Sequence, residues 1–247
     1  MPLSEYKTVL VTGASSGVGM ASVRALRGRG LDVIALARRE ERLEPLAEET
    51  GCRVLVQDLL DTEKIYTNLP DLGVDILINN AGLGRGYEGF LKSTANEIQE
   101  MVNLNVSAAF HVTRALAEGM AERKSGHIIQ LGSIAALYPI GLPVYGGTKG
   151  ALHMFSQHFR IELAGTGVRH TEICPGRIAT EFFDSAFKAR EDRDAFLSGY
   201  SPLQPEDVAA AALFALDAPW HVNVSTIELT PTEQVPGGAI IKEARIN

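Results

Sequence analysis

The chain is poor in cysteine: Cys52 and Cys174 are the only two in 247 residues, with no CxxC and no Cys/His ligand spacing. That excludes a disulfide framework, gives no sign of a zinc site, and suits a reducing cytoplasm. Blocks of like charge are also missing, the densest stretch being the mixed Arg38-Arg39-Glu40-Glu41-Arg42, and the formal charge is −7. Neither a nucleic-acid surface nor an anionic membrane is a natural partner for such a chain, which points instead to small molecules. No apolar run is long enough to span a bilayer, Val208 to Leu216 being the longest, and Met1-Pro2-Leu3-Ser4-Glu5 has neither a basic n-region nor an apolar h-region. The expectation is a soluble, unexported protein. The six histidines form no HxxxH or His/carboxylate spacing, so no metal is expected.

What the chain does have is alternation. With 45% apolar residues it can build one domain with a sheet covered on both faces. Lys7–Thr12, Asp32–Ala37, Arg53–Gln57, Val74–Ile78, His127–Leu131, Val168–Cys174 and Thr226–Leu229 read as strands, with helical patterns between them. Seven such strands predict an α/β fold: a single-domain, Rossmann-type, doubly wound parallel sheet with helices on both faces. Gly28 and Gly30 can end the first helix, and Pro205-Glu206-Asp207 opens an alanine-rich one. The segment 181–203 breaks the rhythm, mixing Phe182, Phe183, Phe187, Phe196 and Tyr200 with Lys188, Arg190 and Arg193. It reads as a substrate lid, with an ordinary surface helical hairpin as the alternative.

Thr12-Gly13-Ala14-Ser15-Ser16-Gly17-Val18-Gly19 joins the first strand to the first helix. A glycine turn there lets backbone N–H groups and a helix N-terminus hold a pyrophosphate. About twenty residues on, where an NAD-selective fold wants a carboxylate for the ribose 2′-hydroxyl, stand Ala37, Arg38 and Arg39. A guanidinium suits a 2′-phosphate, so NADP(H) is the expected cofactor and Arg38 the stronger candidate of the two. The alternative is that both arginines are solvated residues of a first helical turn. Asp58, followed by Leu59, ends the third strand and is expected to accept from the adenine amino group or to cap a helix. Asn79-Asn80-Ala81-Gly82 ends the fourth strand with residues small enough for close backbone approach to a cofactor.

Tyr145 and Lys149 fall on one helical face, where an ammonium can favour the tyrosinate and lower a pKa that is otherwise about 10. Such a tyrosine is a general acid for carbonyl reduction and a base for alcohol oxidation. Ser133 follows the fifth strand, twelve residues before Tyr145, and can hydrogen-bond a substrate oxygen; the alternative is that it caps a turn. No Gly-x-Ser-x-Gly elbow surrounds it, which excludes a hydrolase nucleophile.

These ordered motifs, with Pro175-Gly176 downstream, identify the chain as a member of the short-chain dehydrogenase/reductase family by resemblance from end to end. The resemblance implies an asparagine supporting a water relay through the lysine, matched by Asn105, with Asn103 the other register. It also implies a backbone contact from Ile178 and a hydroxyl contact from Thr180 to the nicotinamide carboxamide. Two departures stand out: Ala108 where the family commonly has glycine, and a Ser-to-Tyr spacing one residue short. The stretch Pro219–Gln234 resembles the subgroup of NADP-dependent 3-hydroxy acid (serine-type) dehydrogenases and a clavulanate-pathway reductase.

A substrate carboxylate would need a cation, for which Arg85, Arg177, Lys188, Arg190 and Arg193 are candidates. The lid aromatics equally suit a bulky ketone, and a 3-oxoacyl reductase or a catalytically silent NADPH-binding regulator are the rival functions. The family's helix packing implies a homotetramer or dimer, with Phe110, Leu116, Leu152 and Phe155 as contacts; core packing within one subunit explains those residues too.

Overall fold

Seven parallel strands form one sheet in the order β3-β2-β1-β4-β5-β6-β7 in a computed structural model that describes residues 3–184 and 190–235. The strands are β1 (Thr8–Thr12), β2 (Asp32–Ala37), β3 (Arg53–Val56), β4 (Ile76–Asn79), β5 (Gly126–Leu131), β6 (Val168–Pro175) and β7 (Thr226–Leu229). Each lies within a residue or two of its expected place.

The helices are α1 (Gly17–Arg27), α2 (Glu40–Thr50), α3 (Thr62–Asn68), α4 (Ala95–Val102), α5 (Ala109–Glu122), α6 (Pro143–Glu162), α7 (Arg190–Leu197) and α8 (Pro205–Asp217). Their ends follow the sequence chemistry. Gly28 closes α1, and Gln204 with Asp207 forms a capping box around Pro205 at the start of α8. No described helix is long and apolar enough to cross a membrane.

Side-chain alternation along the strands builds two cores. Val9 and Val11 of β1, with Val33, Ala35, Ile76 and Ile78, pack on one face with Val23 and Leu26 of α1 and with Val208, Ala212 and Leu216 of α8. Leu10, with Ile34, Leu36, Leu77 and Ile128, packs on the other face with Ile65 of α3 and with Val112, Leu116 and Met120 of α5.

Chain order reverses between β1 and β4. Crossovers leave to opposite faces there and open a crevice at the carboxyl edge, the place where doubly wound sheets bind ligands.

Candidate active site

A cavity of about 670 Å³ occupies that crevice. It takes its lining from the carboxyl ends of six strands: Gly13, Ser15, Ser16, Gly17 and Val18 after β1; Arg38 and Arg39 after β2; Asp58 and Leu59 after β3; Asn80, Ala81 and Gly82 after β4; Ser133 after β5; and Pro175, Gly176, Ile178 and Thr180 at and after the end of β6. Tyr145 and Lys149 reach it from α6. Of the expected site residues, Gly19 and Asn105 stand behind this lining instead of on it.

At one end the glycine loop is sterically committed. Gly13 has φ +65°, and a Cβ on Gly19 would lie 2.3 Å from the Gly13 carbonyl oxygen, so a side chain at Gly19 would push the loop off the helix. Ser16, the N-cap of α1, makes no side-chain capping bond, which leaves the first-turn N–H groups of α1 facing the crevice. Arg39 donates instead to that loop, with Nη2 2.9 Å from Ser15 Oγ and 3.0 Å from Ser16 Oγ and Nε 3.1 Å from Ser15 Oγ.

The two arginines are placed differently. Arg38 extends outward, 63% exposed, with Nη1 3.7 Å from Asp58 Oδ2, whereas Arg39 forms one polar group with two hydroxyls beside the helix N-terminus. Two guanidinium cations, two hydroxyls and open amides are what a phosphate-bearing adenosine half needs, so the residues present fit a phosphorylated dinucleotide. Asp58 is not a helix cap: its Oδ1 accepts from the Leu60 amide, and Asp61 caps α3 by accepting from the Lys64 amide.

Asn80 and Thr12 brace the middle of the crevice. Asn80 Nδ2 donates to the Thr12 carbonyl at 2.9 Å, and Thr12 Oγ1 accepts from the Asn80 and Ala81 amides at 3.0 Å each. These bonds lock the turn after β4 onto the end of β1.

At the other end Ser133 stands beside Tyr145 and pulls its hydroxyl pKa downward. Ser133 also accepts from the Ala135 amide at 3.1 Å, so it both caps the turn Ile134–Ala136 and faces Tyr145. Lys149 Nζ lies 6.0 Å from the centre of the Tyr145 ring and donates to the Leu131 carbonyl at 2.8 Å.

The expected lowering of the tyrosine pKa is absent. Burial pushes Tyr145 up to about 12, against a downward pull from Ser133, and burial pushes Lys149 down to about 8. Desolvation disfavours the charged form of each group and outweighs their mutual attraction at this separation.

Asn105 sits not on a regular helix but in a π-helical turn, Asn103–Ala108, between α4 and α5. Its Oδ1 accepts from the Leu83 amide at 2.8 Å, and its Nδ2 donates to the Leu83 carbonyl at 2.9 Å and to Thr148 Oγ1 at 3.1 Å. Thr148 donates in turn to the Tyr145 carbonyl. Asn105 therefore ties the loop after β4 to the helix that carries Tyr145 and Lys149. π-turns of this kind are frequent at functional sites.

Where described, the segment 181–203 holds a 3₁₀ turn, Glu181–Asp184, and the helix α7, then runs irregularly to Leu203, where the Ile178–Leu203 bridge pins its base. Phe182 and Phe183 enter the cavity wall, Phe182 lying 5.7 Å from Tyr145 between ring centres. Phe187, Lys188 and the side chain of Phe196 lie outside the described residues. Arg193 pairs with Asp184 and Asp194, and Arg190 with Asp194, so neither lines the cavity. Leu116 and Leu152, expected at a subunit contact, are buried inside the subunit.

Two groups escaped the sequence reading. Tyr87 lines the cavity near Tyr145, and no motif marked it. His153, Glu172 and Cys174 also converge, although no sequence spacing signals a His/carboxylate cluster. Strand alternation puts Glu172 and Cys174 on the face of β6 that α6 covers, which is the signal that was there to read. His153 Nδ1 and Glu172 Oε2 are 2.6 Å apart, a hydrogen bond and shorter than the roughly 3.3 Å between two ligands of one tetrahedral zinc.

Comparison with known proteins agrees with this geometry. A family profile described as short chain dehydrogenase matches residues 7–191. The chain is 38% identical to the NADP-dependent 3-hydroxy acid dehydrogenase YdfG of Escherichia coli strain K12, covering 93% of this chain and 97% of that one. It is also 38% identical to a serine 3-dehydrogenase of Agrobacterium fabrum, over 92% of this chain and 94% of that one. Among solved structures, the closed form of a serine dehydrogenase complexed with NADP+ superimposes with a TM-score of 0.89 at 37% identity, over 97% of this chain and 98% of that one. The protein belongs to the short-chain dehydrogenase/reductase family.

Proposed function

We propose that this protein is an NADP(H)-dependent oxidoreductase acting on a small 3-hydroxy acid, or on the matching semialdehyde or keto acid. The observation that carries the reading is the convergence, in one cavity, of Arg39, Ser15 and Ser16 at one end and Ser133, Tyr145 and Lys149 at the other. The names of the similar enzymes favour a small acid over the bulky ketone that the cavity aromatics also accommodate.

The glycine loop and the α1 N-terminus would hold the pyrophosphate, Arg39 with Arg38 the 2′-phosphate, Lys149 the nicotinamide ribose, and Ile178 and Thr180 the carboxamide. When bound, the nicotinamide supplies or receives the hydride. Ser133 donates to the substrate oxygen, and Tyr145 gives that oxygen a proton on reduction or removes one on oxidation. Asn105 is a positioning residue that holds the loop at Leu83 against the catalytic helix. The segment 181–203 serves as the lid, with Phe182 excluding water above Tyr145.

Two copies would meet through the outer face of α5 and α6, where Phe110 and Phe155 stack 4.4 Å apart and half-buried, and work in the cytoplasm.

Tyr145→Phe tests the chemistry. Loss of the hydroxyl is expected to lower kcat on the order of 10²- to 10⁴-fold. NADPH binding, followed by nicotinamide fluorescence, should stay within a few-fold of wild type. A variant that keeps kcat within tenfold would overturn the assigned role.

A further inference from the structure

The arginine end of the cavity carries carboxylates beside its cations. Asp58 and Glu181 are the two acids among the described lining residues, and each faces one arginine. Asp58 Oδ2 lies 3.7 Å from Arg38 Nη1, and Glu181 Oε2 lies 3.8 Å from Arg39 Nη1. Asp58 is held within its own loop, where its Oδ1 accepts from the Leu60 amide. Glu181 comes from the far side of the chain.

Glu181 Oε1 accepts from Arg42 Nη1 at 2.9 Å, and Arg42 sits in the first turn of α2, 139 residues away in sequence. One carboxylate therefore bridges two guanidinium groups, Arg39 just before α2 and Arg42 inside it. The backbone leading to Glu181 is fixed. The Ala179 amide donates to the Leu203 carbonyl at 2.7 Å, and Thr180 packs on the glycine loop so closely that a Cβ on Gly17 would lie 3.1 Å from its methyl carbon. Glu181 is the next residue, so its side chain reaches α2 from a settled base at the end of β6.

Arg39 thus has three polar partners at this end, the Ser15 and Ser16 hydroxyls and the Glu181 carboxylate. A hydroxyl can turn and donate to an arriving phosphate, whereas an ionised carboxylate only accepts and repels a second anion. A phosphate seated on Arg39 must displace Glu181 or bear its charge. All three ionic side chains are close to half exposed, so water and salt screen the competition and keep it to a few-fold in affinity.

We propose that Glu181 is a specificity-determining residue of the cofactor site: its carboxylate competes with the 2′-phosphate for Arg39, which weakens the phosphorylated cofactor and leaves the unphosphorylated one nearly unchanged. The proposal rests on the NADP(H) reading above and on Arg39 as the residue that meets the 2′-phosphate. A competitor built into the site keeps a multiply charged cofactor exchangeable between turnovers, since differences in affinity within one site fall mainly on the rate of release.

The test titrates wild type, Glu181→Gln and Glu181→Lys with NADPH and NADH, and with adenosine 2′,5′-bisphosphate and 5′-AMP as fragments that lack the nicotinamide. Glu181→Gln is expected to tighten NADPH and the bisphosphate by about 2- to 5-fold at low ionic strength, with NADH and 5′-AMP little changed. Glu181→Lys should raise the NADPH-to-NADH preference further, and both gains should shrink as salt is added. In an Arg39→Ala background, Glu181→Gln should gain clearly less, because the two residues share one contact.

If Arg39→Ala weakens NADPH selectively while Glu181→Gln leaves the NADPH-to-NADH preference unchanged or lowers it, the competitor role is wrong and the cofactor site stands. If Arg39→Ala weakens both cofactors alike, or neither, the 2′-phosphate is held elsewhere and the role of Glu181 fails with that reading.

Discussion

Arg38 and Arg39 show how much a single rotamer decides. The sequence favours Arg38, yet Arg39 is the one that folds back onto Ser15 and Ser16, and the Arg38 side chain goes to Asp58. Arg39→Ala is therefore expected to weaken NADPH binding by roughly 10- to 100-fold while changing NADH binding little, since it removes a charge-assisted bond that only the 2′-phosphate can accept. Arg38→Ala should cost clearly less; the reverse order in a fluorescence titration would reinstate Arg38. Lys149 carries a second residue-scale prediction. Burial holds it at about 8, so its ammonium is present below that pH and lost above it. If the charged lysine supports Tyr145, kcat/KM for carbonyl reduction should fall as pH rises through about 8. Lys149→Arg, whose guanidinium keeps its proton, should shift that fall upward. The trio Ser133, Tyr145 and Lys149 was legible because its spacing on one strand end and one helix face survives folding unchanged. Tyr87 was not, since it reaches the cavity from the loop after β4, where no local pattern marks it.

At the level of elements, the π-turn Asn103–Ala108 and the loop after β4 act as one unit through the three hydrogen bonds of Asn105. Asn105→Ala leaves the partly buried amide and carbonyl of Leu83 without those partners. The expected loss is about 2–4 kcal/mol, read as a lowered midpoint in urea unfolding, together with lower kcat. An effect on kcat with an unchanged midpoint would mean that the side chain serves only a proton path. α4 offers a control away from the cavity. Thr94 caps it in a reciprocal box with Glu97, and Thr94→Ala should cost about 1 kcal/mol of stability without altering cofactor selectivity. The sequence marked 181–203 as an excursion because it breaks the strand–helix rhythm. That its Phe182 ends over Tyr145 follows from the Ile178–Leu203 bridge, a pairing without a local signature.

For the molecule as a whole, the buried histidines set the acid limit of stability. His170 is fully buried with neither ring nitrogen hydrogen-bonded, and burial pushes it down to about 3; His127, bonded to Thr171, is lowered well below its ordinary value as well. Both stay neutral in the fold while the unfolded chain takes up protons below about pH 6.5, so stability falls as pH drops from about 6.5 toward 3. The slope is about 1.4 kcal/mol per pH unit for each histidine. Calorimetry should show Tm falling over that range, and His170→Phe should flatten the fall; an unchanged acid slope in that variant would show that His170 is protonated in the fold. Strand positions, the parallel order and the nucleotide-binding loop could be read in the linear chain because they arise from short-range periodicity and from glycines whose neighbours are local. Which arginine folds onto Ser15 and Ser16, and that burial pushes Tyr145 up, depend on burial and on contacts between residues far apart in the chain. Those quantities exist only once the sheet has closed the crevice around them.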